Sequence, residues 1–189
     1  MNWKIIFNPF SKYSETQLLI AGIVITILGS LVGSHFDVSF DGVLDVHVNE
    51  NTFLSSVTEN LINIFSVIAV LFILGKIINS KTRFIDILNM TMLSRIPLYL
   101  LGTITNNSKI NDITQKIIDS IDYPQKMNLL PEEMAILAVF TVVSFLMMAY
   151  FIVLLIFGFK TATNTKKWQH WIFFAVAIIL AEIISKSLL

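Results

Sequence analysis

The stretch Phe84–Thr105, FIDILNMTMLSRIPLYLLGTIT, is apolar enough to cross a bilayer, yet it carries Arg95 near its middle and Pro97 two residues on. A charged side chain at that depth costs about 2.5 to 3.5 kcal/mol on insertion scales, so it is expected to face protein or trapped water. Pro97 has no N–H and cannot close the helical bond to the carbonyl of Leu93, which predicts a kink beside a guanidinium rich in donors. A chain holding such a segment reads as a polytopic membrane protein with a buried polar point.

Composition supports this. The 189 residues are 55% hydrophobic and 14% charged, with a mean hydropathy of +0.76, far from an ordinary soluble domain. Lys+Arg and Asp+Glu are both 13, so there is no basic excess to hold nucleic acid. Cysteine is absent, which removes disulfides, thiolate metal sites and a cysteine nucleophile. The start, MNWKIIFNPFSKY, is amphipathic and lacks a small-residue cleavage site, so the first span is expected to serve as an uncleaved anchor. Its aromatics and lysines suit the membrane interface, and Asn8-Pro9 should break any helix there.

The fold class is all-α and polytopic. A single membrane domain over residues 1–189 is expected to hold five transmembrane helices, at about 17–34, 60–78, 84–105, 134–159 and 168–188. Gly29 and Gly33 form a GxxxG-type pair suited to close helix approach. Between the first two spans the period changes to two. Phe36, Val38 and Phe40 alternate with polar residues, and the alternation resumes after Asp41-Gly42 with Leu44, Val46 and Val48. This predicts an extramembrane β-hairpin over about 36–48 with a type I′ turn at Asp41-Gly42. His35, Asp41, Asp45 and His47 are candidate ligands for a divalent cation. Their spacing matches no defined metal motif, so a solvated acidic face is the expectation and no metal is assigned. A second extramembrane element is expected at about 109–122, where isoleucines fall at helical spacing: an amphipathic helix stopped at Tyr123-Pro124.

Orientation follows from lysine and arginine. With the N-terminus inside, eight of them lie on inner segments (Lys4, Lys12, Lys76, Lys81, Arg83, Lys160, Lys166, Lys167) against four outside (Lys109, Lys116, Lys126, Lys186). This predicts a cytoplasmic N-terminus and an outside C-terminus. The outer side, Glu59 included, then holds most of the acids.

The layout resembles the Yip family of five-span, Rab-interacting-type membrane proteins, in a bacterial-type form. The resemblance rests on the lead-in FNPF, the span count, the proline within SRIPLYLL, and the run FGFKTATNTKKW that leaves span four through a short basic loop. The stretch FDGVLDVHV looks like an elaboration of bacterial relatives. Eukaryotic members of that family act in vesicle traffic and bind small GTPases through a cytosolic N-terminal extension. The resemblance carries no functional residue over to this chain.

An intramembrane enzyme is disfavoured: no HExxH, GxSxG, Walker loop or paired-acid motif is present, and His170 sits between the interfacial anchors Trp168 and Trp171. The expected function is non-enzymatic and without a cofactor. The protein would organise membrane partners or lipids, its partners being the bilayer and an unidentified membrane protein or a second copy. The alternative is a small channel or transporter component using Arg95 and Glu182. Arg95 lies about 16 Å along span three and Glu182 about 21 Å along span five at 1.5 Å per residue. Similar depths predict that the two pair, forming a polar core with Pro97.

Overall fold

The computed structural model describes residues 3–121 and 128–189. The chain opens with the short helix α1 (Trp3–Phe7) and a 3-10 turn at Pro9–Ser11, the break falling at Asn8-Pro9. Then come α2 (Glu15–His35), strands β1 (Val38–Ser39) and β2 (His47–Val48), and α3 (Phe53–Ile78). Helices α4 (Phe84–Ser94) and α5 (Ile96–Thr105) follow, then α6 (Ser108–Asp119), α7 (Pro131–Thr163) and α8 (Gln169–Leu188). Helices α2, α3, α4 with α5, α7 and α8 are each long and apolar enough to cross a membrane. The fold is an all-α polytopic membrane bundle with one small antiparallel hairpin.

Helix ends follow local chemistry. Ser14 caps α2 through the Gln17 N–H, and the Gln17 side chain accepts from the Ser14 N–H, a reciprocal box two residues ahead of the expected start. Thr52 caps α3 through the Ser55 N–H, seven residues before the apolar run alone suggests. Pro131 opens α7, and Glu133 accepts from the Leu130 N–H. Asn164, at φ 50°, closes it.

The third span is the centre of the bundle. In its most apolar window 67% of the residues are buried, against 17% to 39% for the other four spans. It is one span in two helices. Arg95, at φ −72° and ψ −9°, separates α4 from α5, and Pro97 occupies the first turn of α5, where a missing N–H costs nothing. Helices α4 and α5 pack on α2 and α7, while α8 packs mainly on α3. The main core joins Leu71, Ile87, Met90 and Leu98 to Phe151, Leu155 and Phe159. Gly29 of α2 faces the Tyr99 ring so closely that an added Cβ would stand 2.5 Å from its carbons. Gly33 meets Ser56 of α3, so both glycines of the GxxxG pair serve helix contacts.

The hairpin is shorter than its alternation implied. Only Val38 pairs with Val48 and Ser39 with His47, leaving a seven-residue loop rather than a two-residue turn. Gly42 does not have positive φ, so the type I′ turn at Asp41-Gly42 is not formed; the positive-φ residue here is Asp37, at 48°. The reason is burial. Val38, Phe40 and Val43 are fully enclosed and Ser39 nearly so, and side chains enter the bundle regardless of period two. Helix α6 matches the amphipathic expectation, burying Ile113 and exposing Ile118. The expected stop at Tyr123-Pro124 lies outside the described residues.

Candidate functional site: a buried polar core under the hairpin

The polar centre is built from α3. Ser56, Glu59, Asn60, Asn63 and Ser66 recur every three or four residues along this apolar helix, and all five are buried. A polar stripe at helical spacing on an otherwise apolar span must find partners inside the protein, because lipid offers none.

Glu59 binds the hairpin. Its carboxylate accepts from the Ser39 hydroxyl at 2.7 Å, the Phe40 N–H at 2.8 Å and the Asn51 amide at 3.0 Å. Asn51 also donates to the Val38 carbonyl at 3.1 Å. One turn on, the Asn63 amide donates to the Phe40 carbonyl, and its oxygen accepts from Ser185 of α8. The backbone of Phe40 is therefore held on both sides by α3, and its ring drops onto the Tyr99 ring edge to face at 5.3 Å.

Asn60 leads to Arg95. Its amide donates to Ser30 of α2 at 3.0 Å, and its oxygen accepts from the Tyr99 hydroxyl at 3.0 Å. The same hydroxyl accepts from Arg95 Nε at 3.2 Å. The guanidinium is 1% exposed and lies 5.9 Å from the Phe40 ring centre and 5.6 Å from that of Tyr99. Nη1 and Nη2 have no hydrogen-bond partner among the described residues. The aromatic faces supply part of the compensation that a carboxylate would otherwise give.

Glu182 is not that carboxylate. It accepts from the Leu44 N–H at 2.8 Å and stands 3.7 Å from Lys186, next to Gly42. The expected Arg95–Glu182 pair is thus corrected: the base and the acid have different partners in different parts of the bundle. Arg95 turns toward Tyr99 and the Phe40 ring of the hairpin, whereas Glu182 sits on α8 under the hairpin loop. Depth along a helix says nothing about the direction in which a side chain leaves it.

The acidic face of the hairpin does assemble. One ligand atom from each of Asp41, Asp45 and His47 lies within 4.8 Å of the others. His47 Nδ1 is 3.4 Å from Asp41 and 3.5 Å from Asp45, and Lys186 reaches Asp45 at 2.6 Å. Burial pushes the Asp45 carboxyl up, but the Lys186 hydrogen bond and charge, helped by His47, outweigh it and hold it below its usual value. An oxygen–nitrogen set of this kind suits a divalent cation in type, yet an ammonium already occupies one of its carboxylates. His35 is not part of the group; its ring stacks edge to face on Phe36 at 5.0 Å.

At the other end of the bundle Arg83 holds Glu15 at 2.6 Å and Asp86 through two bonds, the Asp86 carboxylate chiefly raising the guanidinium's already high pKa. Asn79 donates to the Thr163 carbonyl at 3.2 Å. These bonds tie the connections α3–α4 and α7–α8 together on the side of α1.

The five-span layout, the span broken at Arg95-Ile96-Pro97 and the short loop after α7 are the features that a comparison with protein families can test. The family model described as the Yip1 domain matches residues 3–186, nearly the whole chain. The chain belongs to the Yip1 family. It is an integral membrane protein of that family, and its match includes the hairpin as well as the five spans. Neither the curated proteins nor the solved structures give a match.

Sequence reading missed Glu59, Asn60 and Asn63, counting Glu59 among the acids of the outer side. The signal was there in the i, i+3, i+4 spacing from Ser56 to Ser66.

Proposed function

We propose that this Yip1-family protein is a non-enzymatic organiser of membrane partners or lipids, with its N-terminus cytoplasmic and its C-terminus outside. The observation that supports this most is how the polar groups inside the bundle are used. Glu59, Asn60, Asn63, Tyr99 and Ser185 are engaged in holding helices and hairpin to one another. Arg95 and Glu182, the charges a conduction path would use, do not face each other. The apolar surface is correspondingly available. Helix α7 buries nothing before Phe151, and Val139, Val142 and Leu146 are exposed along it, a face suited to lipid chains or another helix.

Two measurements test the reading together. Photo-crosslinking from Val139 in native membranes is expected to capture a discrete membrane protein or a second copy. Liposomes containing the purified protein are expected to show no solute or ion flux above empty vesicles. Flux that disappears in Arg95→Leu or Glu182→Leu would overturn the proposal in favour of a channel or transporter.

A further inference from the structure

The two ends of the bundle treat their lysines differently. At the hairpin end Lys186 bonds Asp45 and Lys116 bonds Glu133, so these ammonium charges are balanced inside the fold. At the α1 end the acids among the described residues are Glu15 and Asp86, and Arg83 takes both. Lys76 spends its ammonium on the Ser80 carbonyl at 2.9 Å. Lys160 stands in the last turn of α7, where a cation suits the helix dipole. That leaves Lys81, Lys166 and Lys167. All three are exposed, and their ammonium groups have no partner among the described residues.

These three lysines share one platform. Asn79, in the connection from α3 to α4, donates to the Thr163 carbonyl at the end of α7 at 3.2 Å, and the Thr82 hydroxyl donates to the Gly75 carbonyl at 3.0 Å. Lys81 lies between Asn79 and Thr82, and Lys166-Lys167 lie just beyond Thr163, so the two connections are held side by side. Trp168 follows directly, 68% exposed at the start of α8, and an indole at a span end sits at the headgroup level of a bilayer. Cations held at that level face lipid headgroups. Orienting the spans during insertion needs lysines on this side of the sequence, but it does not need the finished fold to leave them unbalanced.

We propose that this basic platform binds anionic phospholipids of the leaflet at the α1 end, with the net negative charge of the lipid set against Lys81, Lys166 and Lys167. The proposal rests on the reading of the chain as an organiser of lipids or partners, and it names the lipid class and the place. Net charge is the discriminating property. Phosphatidylcholine carries the same phosphodiester as phosphatidylglycerol, but its choline cancels the charge. Each lysine near an anionic lipid surface is worth about fivefold in affinity.

The test is native mass spectrometry of the detergent-purified full chain offered equal amounts of phosphatidylglycerol and phosphatidylcholine. The expected result is retention of the glycerol lipid over the choline lipid by about tenfold or more, given about fivefold per lysine. Lys81→Gln/Lys166→Gln/Lys167→Gln is expected to bring the two lipids to within about twofold, once these contributions are gone. Lys109→Gln removes an exposed lysine from the hairpin end and is expected to leave the preference unchanged. Circular dichroism confirms the helical fold of each variant. Equal retention of both lipids by the wild type, a preference that survives the triple replacement, or an equal loss in Lys109→Gln would each overturn the proposal. Displacement of the glycerol lipid by excess inorganic phosphate would place a soluble anion on the platform and overturn it too. Crosslinking at Val139, in the first half of α7, and the flux measurement report separately on the organiser reading.

Discussion

The Glu59 carboxylate of α3 accepts the backbone N–H of Phe40 at 2.8 Å, and this bond fixes the extramembrane hairpin to the membrane bundle. Glu59 also accepts from Ser39, Asn51 and, more weakly, Ser55, so one buried acid serves four donors. Glu59→Ala leaves the Phe40 N–H and the Ser39 hydroxyl without this acceptor, while Asn51 keeps the Val38 carbonyl, and is expected to cost about 2 to 5 kcal/mol, since each buried unmet donor costs about 1 to 3 kcal/mol. Glu59→Gln keeps part of the network and should cost less. Thermal unfolding in detergent, with hydrogen exchange at residues 38–40, measures both; unchanged exchange in Glu59→Ala would mean the hairpin is held some other way.

Arg95 and Glu182 are expected to behave as independent sites. Their partners differ, so losses in Arg95→Leu and Glu182→Leu should add to within about 0.5 kcal/mol in the double mutant. A coupling well beyond that, measured by the same unfolding assay, would require a contact that the fold does not make. Tyr99→Phe removes the hydroxyl shared by Arg95 and Asn60 and is expected to cost about 1 to 3 kcal/mol, leaving the Asn60 oxygen and Arg95 Nε unmet.

Gly42 is required for close approach and not for turn conformation. A Cβ there would stand 2.6 Å from Glu182 Oε1, whose carboxylate receives the Leu44 N–H. Gly42→Ala is therefore expected to cost about 1 to 3 kcal/mol by overpacking. The cost should fall when Glu182 is shortened in Gly42→Ala/Glu182→Ala. A double mutant whose losses simply add would place the conflict elsewhere.

Acid should loosen the hairpin from the end of α8. The Asp45 carboxyl titrates below its usual value, because Lys186 and His47 outweigh its partial burial. A depressed folded pKa contributes stability above the unfolded value, about 3.9, and loses it as pH falls through the folded one. The protection of the Leu44 and Asp45 amides, taken relative to the intrinsic exchange rate at each pH, is expected to be constant from neutral pH to about pH 5 and to fall below about pH 4, a fall absent in Asp45→Asn.

Topology is open to direct labelling, since the chain has no cysteine. Single cysteines at Asn79 and at the exposed Lys166 are expected to react from the cytoplasmic side and one at Asn107 from the opposite side. Reaction of the Asn107 cysteine from the cytoplasmic side would invert the orientation.

The sequence by itself determined the five spans, the interruption at Arg95 and Pro97, and the amphipathic helix after α5. These depend on local chemistry: apolar length, a proline without an N–H, and isoleucines at helical spacing. It also determined that a hairpin follows α2, though not its register. Caps moved helix starts outward from the apolar runs at Ser14 and Thr52, because helices extend until a side chain satisfies their free N–H groups. Only the tertiary structure decided who meets whom. Glu59 counted only as one of the outer-side acids until the hairpin folded over it, and Arg95 found Tyr99 and the Phe40 ring while Glu182 found Leu44. A sequence specifies the depth and face of each residue on its own helix. The rotation of one helix against another is set by packing among segments far apart in the chain, and in a membrane that packing must also satisfy every buried polar group.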